Sequence, residues 1–215
     1  MNIKEYIDQN TENAVYPGRG EFNGLLYCVD GLCGEIGKGF NILSKCMSED
    51  QWELTLNKVS DFSSLFSNIS WYLSQIIYEV MAANVDVKTE TDLEYFFSEC
   101  IKEETYVHGV IALHIGLSAM YLESAELLSK TNKFMYAAED VDPENMEDRS
   151  IFVGEYMQSV IQHIAALLVC FGRCAVYLNV DVYDIINQNL KLLGERKSAG
   201  TLNGSGDGVK DRTTK

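Results

Sequence analysis

Apolar residues recur along most of this chain every three to four positions, which is the spacing of an α-helix with one buried face. The clearest such stretches are Leu25–Lys45, Asp61–Ala83, Val110–Lys130 and Ile151–Leu178. Two shorter segments, Asp86–Ser98 and Asp181–Leu193, begin with acidic residues, which suit the N-terminal end of a helix. Only two prolines interrupt the 215 residues. The pattern predicts an all-α protein without a substantial sheet.

The helical pattern repeats within the chain. A shift of 85 residues places Leu25–Lys45 on Val110–Lys130, and a shift of 95 places the NVDV sequence of 84–87 on that of 179–182. The ten-residue difference falls in the acidic segment Ala138–Asp148, which we expect to be a solvated loop. Since one amphipathic helix pair cannot close a core alone, duplication would complete a four-helix bundle. The predicted units are residues 1–100 and 101–198, followed by a glycine-rich tail, 199–215.

Charge and cysteine usage exclude several classes of function. The net charge of −15 opposes attraction to nucleic acid or to an anionic membrane. The six cysteines lie in apolar helical patterns without CxxC spacing, so we interpret them as reduced core residues. The most apolar stretch, Ile161–Leu178, contains Gln162, His163 and Arg173 and predicts a buried helix rather than a membrane span. These features predict a cytoplasmic protein.

Two separated motifs resemble one protein family. Residues 16–38 read YPGRGEFNGLLYCVDGLCGEIGK, and residues 189–207 read NLKLLGERKSAGTLNGSGD. Both resemble the MazG-like all-α nucleoside triphosphate pyrophosphohydrolases, particularly the phage-encoded type. The resemblance implies a MazG-like helical bundle, and with the internal repeat it implies two fused MazG-like units that form a single-chain pseudo-dimer. It also implies a phage protein that acts in the host cytoplasm, and a homo-oligomer.

The same resemblance implies that the metal site of the family has been lost. In the family, two i,i+3 pairs of acids on facing helices bind Mg²⁺, which bridges the substrate phosphates. The corresponding residues here are Glu35 and Lys38 with Leu65 and Asn68 in the first unit, and Met120 and Glu123 with Val160 and His163 in the second. Each unit therefore keeps one acid of four. Lys38 is either a surface ion-pair partner of Glu35 or a cation that binds a phosphate without metal.

Other candidate ligand-binding residues follow from the same resemblance. Trp71 and Tyr72 lie where the family packs the nucleobase or the helix core, so they are either core residues or stacking groups. Asn189, Arg196 and Lys197 belong to the tail motif, which either closes over phosphate oxygens or is a flexible polar terminus.

Three functions remain open from the sequence. The first is an inactive MazG-like protein that needs no cofactor and that binds and sequesters a nucleotide or cyclic nucleotide signal, as a phage anti-defence protein would. The second is a Mg²⁺-dependent pyrophosphohydrolase with a rearranged site of Glu35, Glu123 and Glu126. The third is a protein-binding module whose acidic surface, around 139–148, contacts a basic partner.

Overall fold

The computed structural model describes residues 3–82, 109–140 and 146–200. Every regular element in these ranges is an α-helix, so the all-α prediction is confirmed for the described part of the chain. The helices are α1 (Ile3–Glu12), α2 (Phe22–Ser48), α3 (Leu56–Ala82), α4 (Gly109–Asp140), α5 (Met146–Leu178) and α6 (Val182–Ser198). The predicted helix Asp86–Ser98 and the tail residues 201–215 lie outside the described residues.

Four long helices form two antiparallel hairpins, α2 with α3 and α4 with α5, and these pack against each other. Helix α2 crosses α4 in antiparallel fashion, because Cys33 approaches Ser124 whereas Gly39 approaches Leu117. Helix α3 contacts α5, where the rings of Phe66 and Phe171 meet edge to face at 5.7 Å. Helices α1 and α6 cover α3 on its other side. The bundle therefore encloses α3 among four neighbours.

A single hydrophobic core joins both hairpins. Its largest fully buried side chains include Phe62 and Phe66 of α3, Phe171 of α5 and Leu117 of α4. Burying a side chain of this size contributes roughly 1.5–3 kcal/mol relative to leaving it in water. The division into units 1–100 and 101–198, related by a pseudo-two-fold axis, remains a prediction.

Glycine permits close helix contact within each hairpin. A Cβ at Gly31 would lie 2.1 Å from the Tyr72 ring, and a Cβ at Gly116 would lie 2.4 Å from Cys174 Sγ. These two glycines coincide under the 85-residue shift. Each lets its helix approach the next helix of the same hairpin more closely than a side chain would allow.

The NVDV sequence at 179–182 connects α5 to α6. Asn179 adopts a left-handed backbone (φ 55°), and the Val180 N–H donates to Ala175 O (3.1 Å), which closes the end of α5. The Asp181 carboxylate then accepts from the Tyr183 N–H at 2.7 Å and caps α6. The turn chemistry thus stops one helix and starts the next within three residues.

The acidic segment that we predicted as a loop is helical at both ends, and residues 141–145 lie outside the described residues. Helix α4 continues through Asp140 and α5 begins at Met146, so the loop prediction for Ala138–Asp148 was wrong at both ends. Acidic, polar residues favour loops only weakly, and a long helix that is already packed extends through them because each added residue gains a backbone hydrogen bond.

Two described helical segments are long and apolar enough to cross a membrane, Gly109–Ala137 and Val153–Leu178. In these segments, 44% and 56% of the most apolar window is buried inside the protein. Core helices of soluble proteins share this composition, because they too are apolar on most of their circumference. Cytoplasmic location remains a prediction that this packing agrees with.

Candidate functional site

Three predicted site residues meet on the first hairpin. Lys38 Nζ donates to Glu35 Oε1 at 2.6 Å, and Asn68 Nδ2 of α3 donates to Glu35 Oε2 at 3.4 Å. The Glu35 side chain is 3% exposed whereas that of Lys38 is 55% exposed. A buried carboxylate requires such partners because an unpaired charge away from water is costly. The ammonium group of Lys38 therefore balances the charge of Glu35.

The second hairpin joins the two corresponding polar residues. His163 Nδ1 of α5 and Glu123 Oε2 of α4 share a hydrogen bond of 2.9 Å. Here the exposure is reversed: the imidazole is 9% exposed and the carboxylate 35%. His163 Nε2 is buried without a hydrogen-bond partner among the described residues. In each hairpin, polar side chains at the positions where the resemblance expects metal ligands are therefore in contact with each other.

The aromatic candidates lie in the core of the first hairpin. Trp71 and Tyr72 are 6% and 3% exposed, and their rings meet edge to face at 4.8 Å. Tyr16 packs edge to face on Trp71 at 5.9 Å and stacks on Tyr27 at 5.8 Å. The indole N–H of Trp71 is buried without a hydrogen-bond partner within the described residues. Trp71 therefore combines a core position with one unused hydrogen-bond donor.

The candidates from the tail motif do not join either cluster. Asn189 is 4% exposed and its Oδ1 accepts from the Tyr6 hydroxyl at 3.4 Å, between α1 and α6. Lys197 Nζ donates to Asn13 Oδ1 at 2.8 Å, which fastens the end of α6 to the loop after α1. Arg196 neighbours Lys197 in the last turn of α6. Asn189 and Lys197 therefore connect α6 to α1 and to the loop after α1.

The acids of the rearranged metal site are not assembled with each other. Glu35 bonds Lys38 and Asn68, Glu123 bonds His163, and Glu126 is exposed on α4. Across residues 3–82, 109–140 and 146–200, no three side chains of His, Cys, Asp or Glu come close enough to bind one metal ion. The cysteines in these ranges are free, and Cys33 is half-buried while Cys28, Cys46, Cys170 and Cys174 are buried.

Sequence reasoning missed the acid that organises the YPGRG loop. Glu79 of α3 is 5% exposed and accepts a hydrogen bond from the Tyr16 hydroxyl. The Gly20 N–H also lies 3.1 and 3.0 Å from its two carboxylate oxygens. Burial first, and then this hydrogen bond to Glu79, raise the pKa of Tyr16 far above its usual value of 10.0. The sequence signal for this role was a single acidic residue, Glu79, within the otherwise apolar sequence IIYEV at 76–80.

Glycine is required at two positions of this loop. Gly18 and Gly20 have φ of 68° and 80°, a left-handed region that residues with a side chain rarely adopt. Arg19 lies between them, with its guanidinium 5.0 Å from the centre of the Tyr78 ring and Nη1 donating to Ala14 O at 3.0 Å. The motif therefore has a structural role here: it turns the chain from α1 into α2 around a buried carboxylate.

A second missed feature is a buried polar seam between α1 and α3. Asn10 Nδ2 and Gln75 Nε2 both donate to Ser74 Oγ, at 3.0 and 3.1 Å, and the Tyr6 hydroxyl bonds Ser70 Oγ at 2.7 Å. Burial is the main cause that raises the pKa of Tyr6 above its usual value of 10.0. Because polar partners must be in register, this seam fixes how α1 docks on the bundle.

Comparison with known proteins gives one partial similarity. The chain is 28% identical over 79 residues to the Gene 37 protein of Mycobacterium phage L5, which covers 35% of this chain and 69% of that protein. No family model matches the chain. No solved structure matches it either. The similarity agrees with the predicted phage origin and leaves the MazG-like resemblance a prediction.

Proposed function

We propose that this chain is a catalytically inactive MazG-like protein that binds a nucleotide or a nucleotide-derived signal and sequesters it without hydrolysis. The observation that carries the proposal is the 2.6 Å contact between Lys38 and Glu35. It puts a cation beside the one acid that the first predicted unit keeps at the positions where the resemblance expects metal ligands. A side-chain cation balances phosphate charge but does not acidify a bound water as Mg²⁺ does.

The surroundings of this ion pair support ligand binding. With its side chain 55% exposed, Lys38 places its ammonium next to both Glu35 and solvent. Asn68, which also contacts Glu35, lies one turn before Trp71 on α3. A ligand phosphate at Lys38 would form charge-assisted hydrogen bonds, which are stronger than neutral ones.

Titration calorimetry and turnover assays with a panel of linear and cyclic nucleotides test the proposal. We expect retained ligand with EDTA present and no release of pyrophosphate with Mg²⁺. Lys38→Gln should weaken binding at least tenfold, about 1.4 kcal/mol. Lys38→Arg keeps the charge and should retain most of the affinity. Lys45→Gln, a change of an exposed lysine on the same helix, serves as the matched control.

Three outcomes would contradict the proposal. Pyrophosphate release that EDTA abolishes would favour the rearranged hydrolase that uses Glu35, Glu123 and Glu126. Equal affinity of the parent protein, Lys38→Gln and Lys38→Arg would return Lys38 to a structural role. If no nucleotide in the panel binds at all, the protein-binding alternative leads instead.

A further inference from the structure

A groove in the second hairpin lies apart from the Glu35 cluster. It runs between the last third of α4 and the first half of α5 and encloses about 290 Å³. The lining residues that matter here are Lys130, Lys133, Phe134, Glu155, Tyr156 and Ser159. None of them belongs to the motifs of the sequence analysis, so the groove is independent of the resemblance.

Two stacked aromatic rings form the floor of this groove. Phe134 and Tyr156 stack at 4.1 Å with an angle of 23° between their planes, and Phe22 of α2 supports both. Tyr156 is 7% exposed and its hydroxyl donates to Thr131 Oγ1 at 2.9 Å. Burial raises the pKa of Tyr156 to about 12, so the floor is uncharged at neutral pH. It is therefore a fixed apolar platform that a flat ring can contact.

Two lysines border the platform. Lys130 Nζ donates to Ser159 Oγ at 2.7 Å, which holds the ammonium at the groove and leaves two of its three donors unused by this bond. Lys133 follows one turn later, exposed to solvent, and has no hydrogen-bond or ion-pair partner within the described ranges. Glu155 contributes one negative charge to the same lining. The groove therefore has a local positive charge in a chain of net charge −15.

We infer that this groove binds a small ligand that joins one flat ring to one phosphate group. The ring would lie against Phe134 and Tyr156, and the phosphate would accept hydrogen bonds from Lys130 and Lys133. The volume of about 290 Å³ is at the lower limit for small-molecule sites, which suits one ring system rather than an extended ligand. An aryl phosphate and a nucleoside monophosphate share this chemistry.

The inference goes beyond the proposed function and does not depend on it. The proposed function concerns Lys38 and Glu35 on α2, whereas the groove uses side chains of α4 and α5. Either site could bind a phosphate without the other, so the variants in each test are chosen from different helices.

Calorimetric titration of the full chain with phenyl phosphate and with AMP tests the inference. Inorganic phosphate, phenol and adenosine are the component ligands, and each should bind at least tenfold more weakly than the compound that contains both parts. Lys133→Glu should weaken binding of the phosphorylated ligands at least tenfold, because it places a negative charge beside the phosphate. Lys45→Glu makes the same change of net charge at an exposed position of α2 and should alter affinity less than twofold.

The outcomes are distinguishable. Similar affinities for phenyl phosphate and AMP would support the shared chemistry, and clearly tighter binding of AMP would assign the groove to nucleotides. Binding that survives Lys38→Gln but not Lys133→Glu locates the ligand in the groove even if the proposed function fails. The inference is wrong if neither compound binds at up to about 10 mM, or if Lys133→Glu and Lys45→Glu have equal effects. Unchanged thermal unfolding of both variants excludes misfolding as the cause.

Discussion

The α2–α3 hairpin and the α4–α5 hairpin each have one carboxylate at the positions that the internal repeat brings into correspondence, and the two carboxylates have partners of opposite exposure. In the first hairpin the acid, Glu35, is buried and its cation, Lys38, reaches solvent. In the second hairpin the acid, Glu123, reaches solvent and its partner, His163, is buried. The first pair lies within one helix, whereas the second pair links two helices.

This difference in burial determines how much each pair contributes to the stability of the protein. A buried carboxylate depends on its partner, because without it the charge has neither water nor a counter-ion. A carboxylate that is 35% exposed has water as an alternative, so its pair contributes little. The first hairpin therefore has a buried carboxylate that depends on its partners, and the second has a partly exposed carboxylate that does not.

The largest expected contrast concerns the glycines of the two hairpins. Gly31→Ala should lower the free energy of unfolding by about 2–3 kcal/mol, because its Cβ would overlap the rigid ring of buried Tyr72. Gly116→Ala should cost about 1–2 kcal/mol, since its Cβ would overlap only the terminal sulfur of Cys174 and would lie at an ordinary 3.5 Å from the Tyr177 ring. Urea denaturation measures both values.

Two controls sharpen this contrast. Gly34→Ala on α2 meets nothing within 4 Å and should raise stability by about 0.5–1 kcal/mol, the usual gain from replacing glycine inside a helix. Adding Cys174→Ala to Gly116→Ala removes the overlapping sulfur and should recover part of the loss. Equal losses for Gly31→Ala and Gly34→Ala would contradict the close packing of Tyr72 on α2.

The next comparison replaces the partner of each carboxylate, Lys38 in the first hairpin and His163 in the second. Lys38→Met should lower the free energy of unfolding by about 1–3 kcal/mol, because it removes the cation from buried Glu35 and leaves the longer 3.4 Å bond from Asn68. His163→Leu should change it by less than about 1 kcal/mol, since Glu123 reaches water. Chemical denaturation at neutral pH measures both, and Lys38→Arg is the charge-retaining control. Comparable losses in the two hairpins would refute the assignment of unequal roles.

The smallest expected effect is a pH dependence of stability at high pH. Burial raises the pKa of Tyr156 to about 12 from the usual 10.0, so the folded state favours the neutral phenol. Its contribution is complete below about pH 10 and is lost as the pH rises towards 12. We expect Tyr156→Phe to lose less stability than the parent protein between pH 9 and 11, as measured by urea midpoints.

The matched control for this pH effect is Tyr183→Phe, which changes a tyrosine that is 44% exposed. It should follow the parent protein over the same pH range. A parallel decline of the parent and Tyr156→Phe would show that the buried phenol does not contribute to the loss at high pH.

Prediction from sequence succeeded where the signal was local. Apolar spacing identified the helices that contain Leu25–Lys45 and Val110–Lys130, because a buried helical face needs that period whatever it packs against. The contact between Glu123 and His163 could also have been predicted from the sequence. The internal repeat and the resemblance together place these two residues at metal-ligand positions on facing helices. The ends of α4 and α5 were missed because packing, not composition, decides how far a long helix continues.

The sequence by itself determined that the described part of the chain is helical and which polar residues interrupt its apolar faces. These properties depend on neighbours within a few residues. Only the tertiary structure decided that Asn68 of α3 reaches buried Glu35, that Glu79 organises the loop of Tyr16 and Gly20, and that Lys130 and Lys133 border an aromatic groove. Those facts depend on which helix faces which, and side-chain packing over the whole bundle sets that choice.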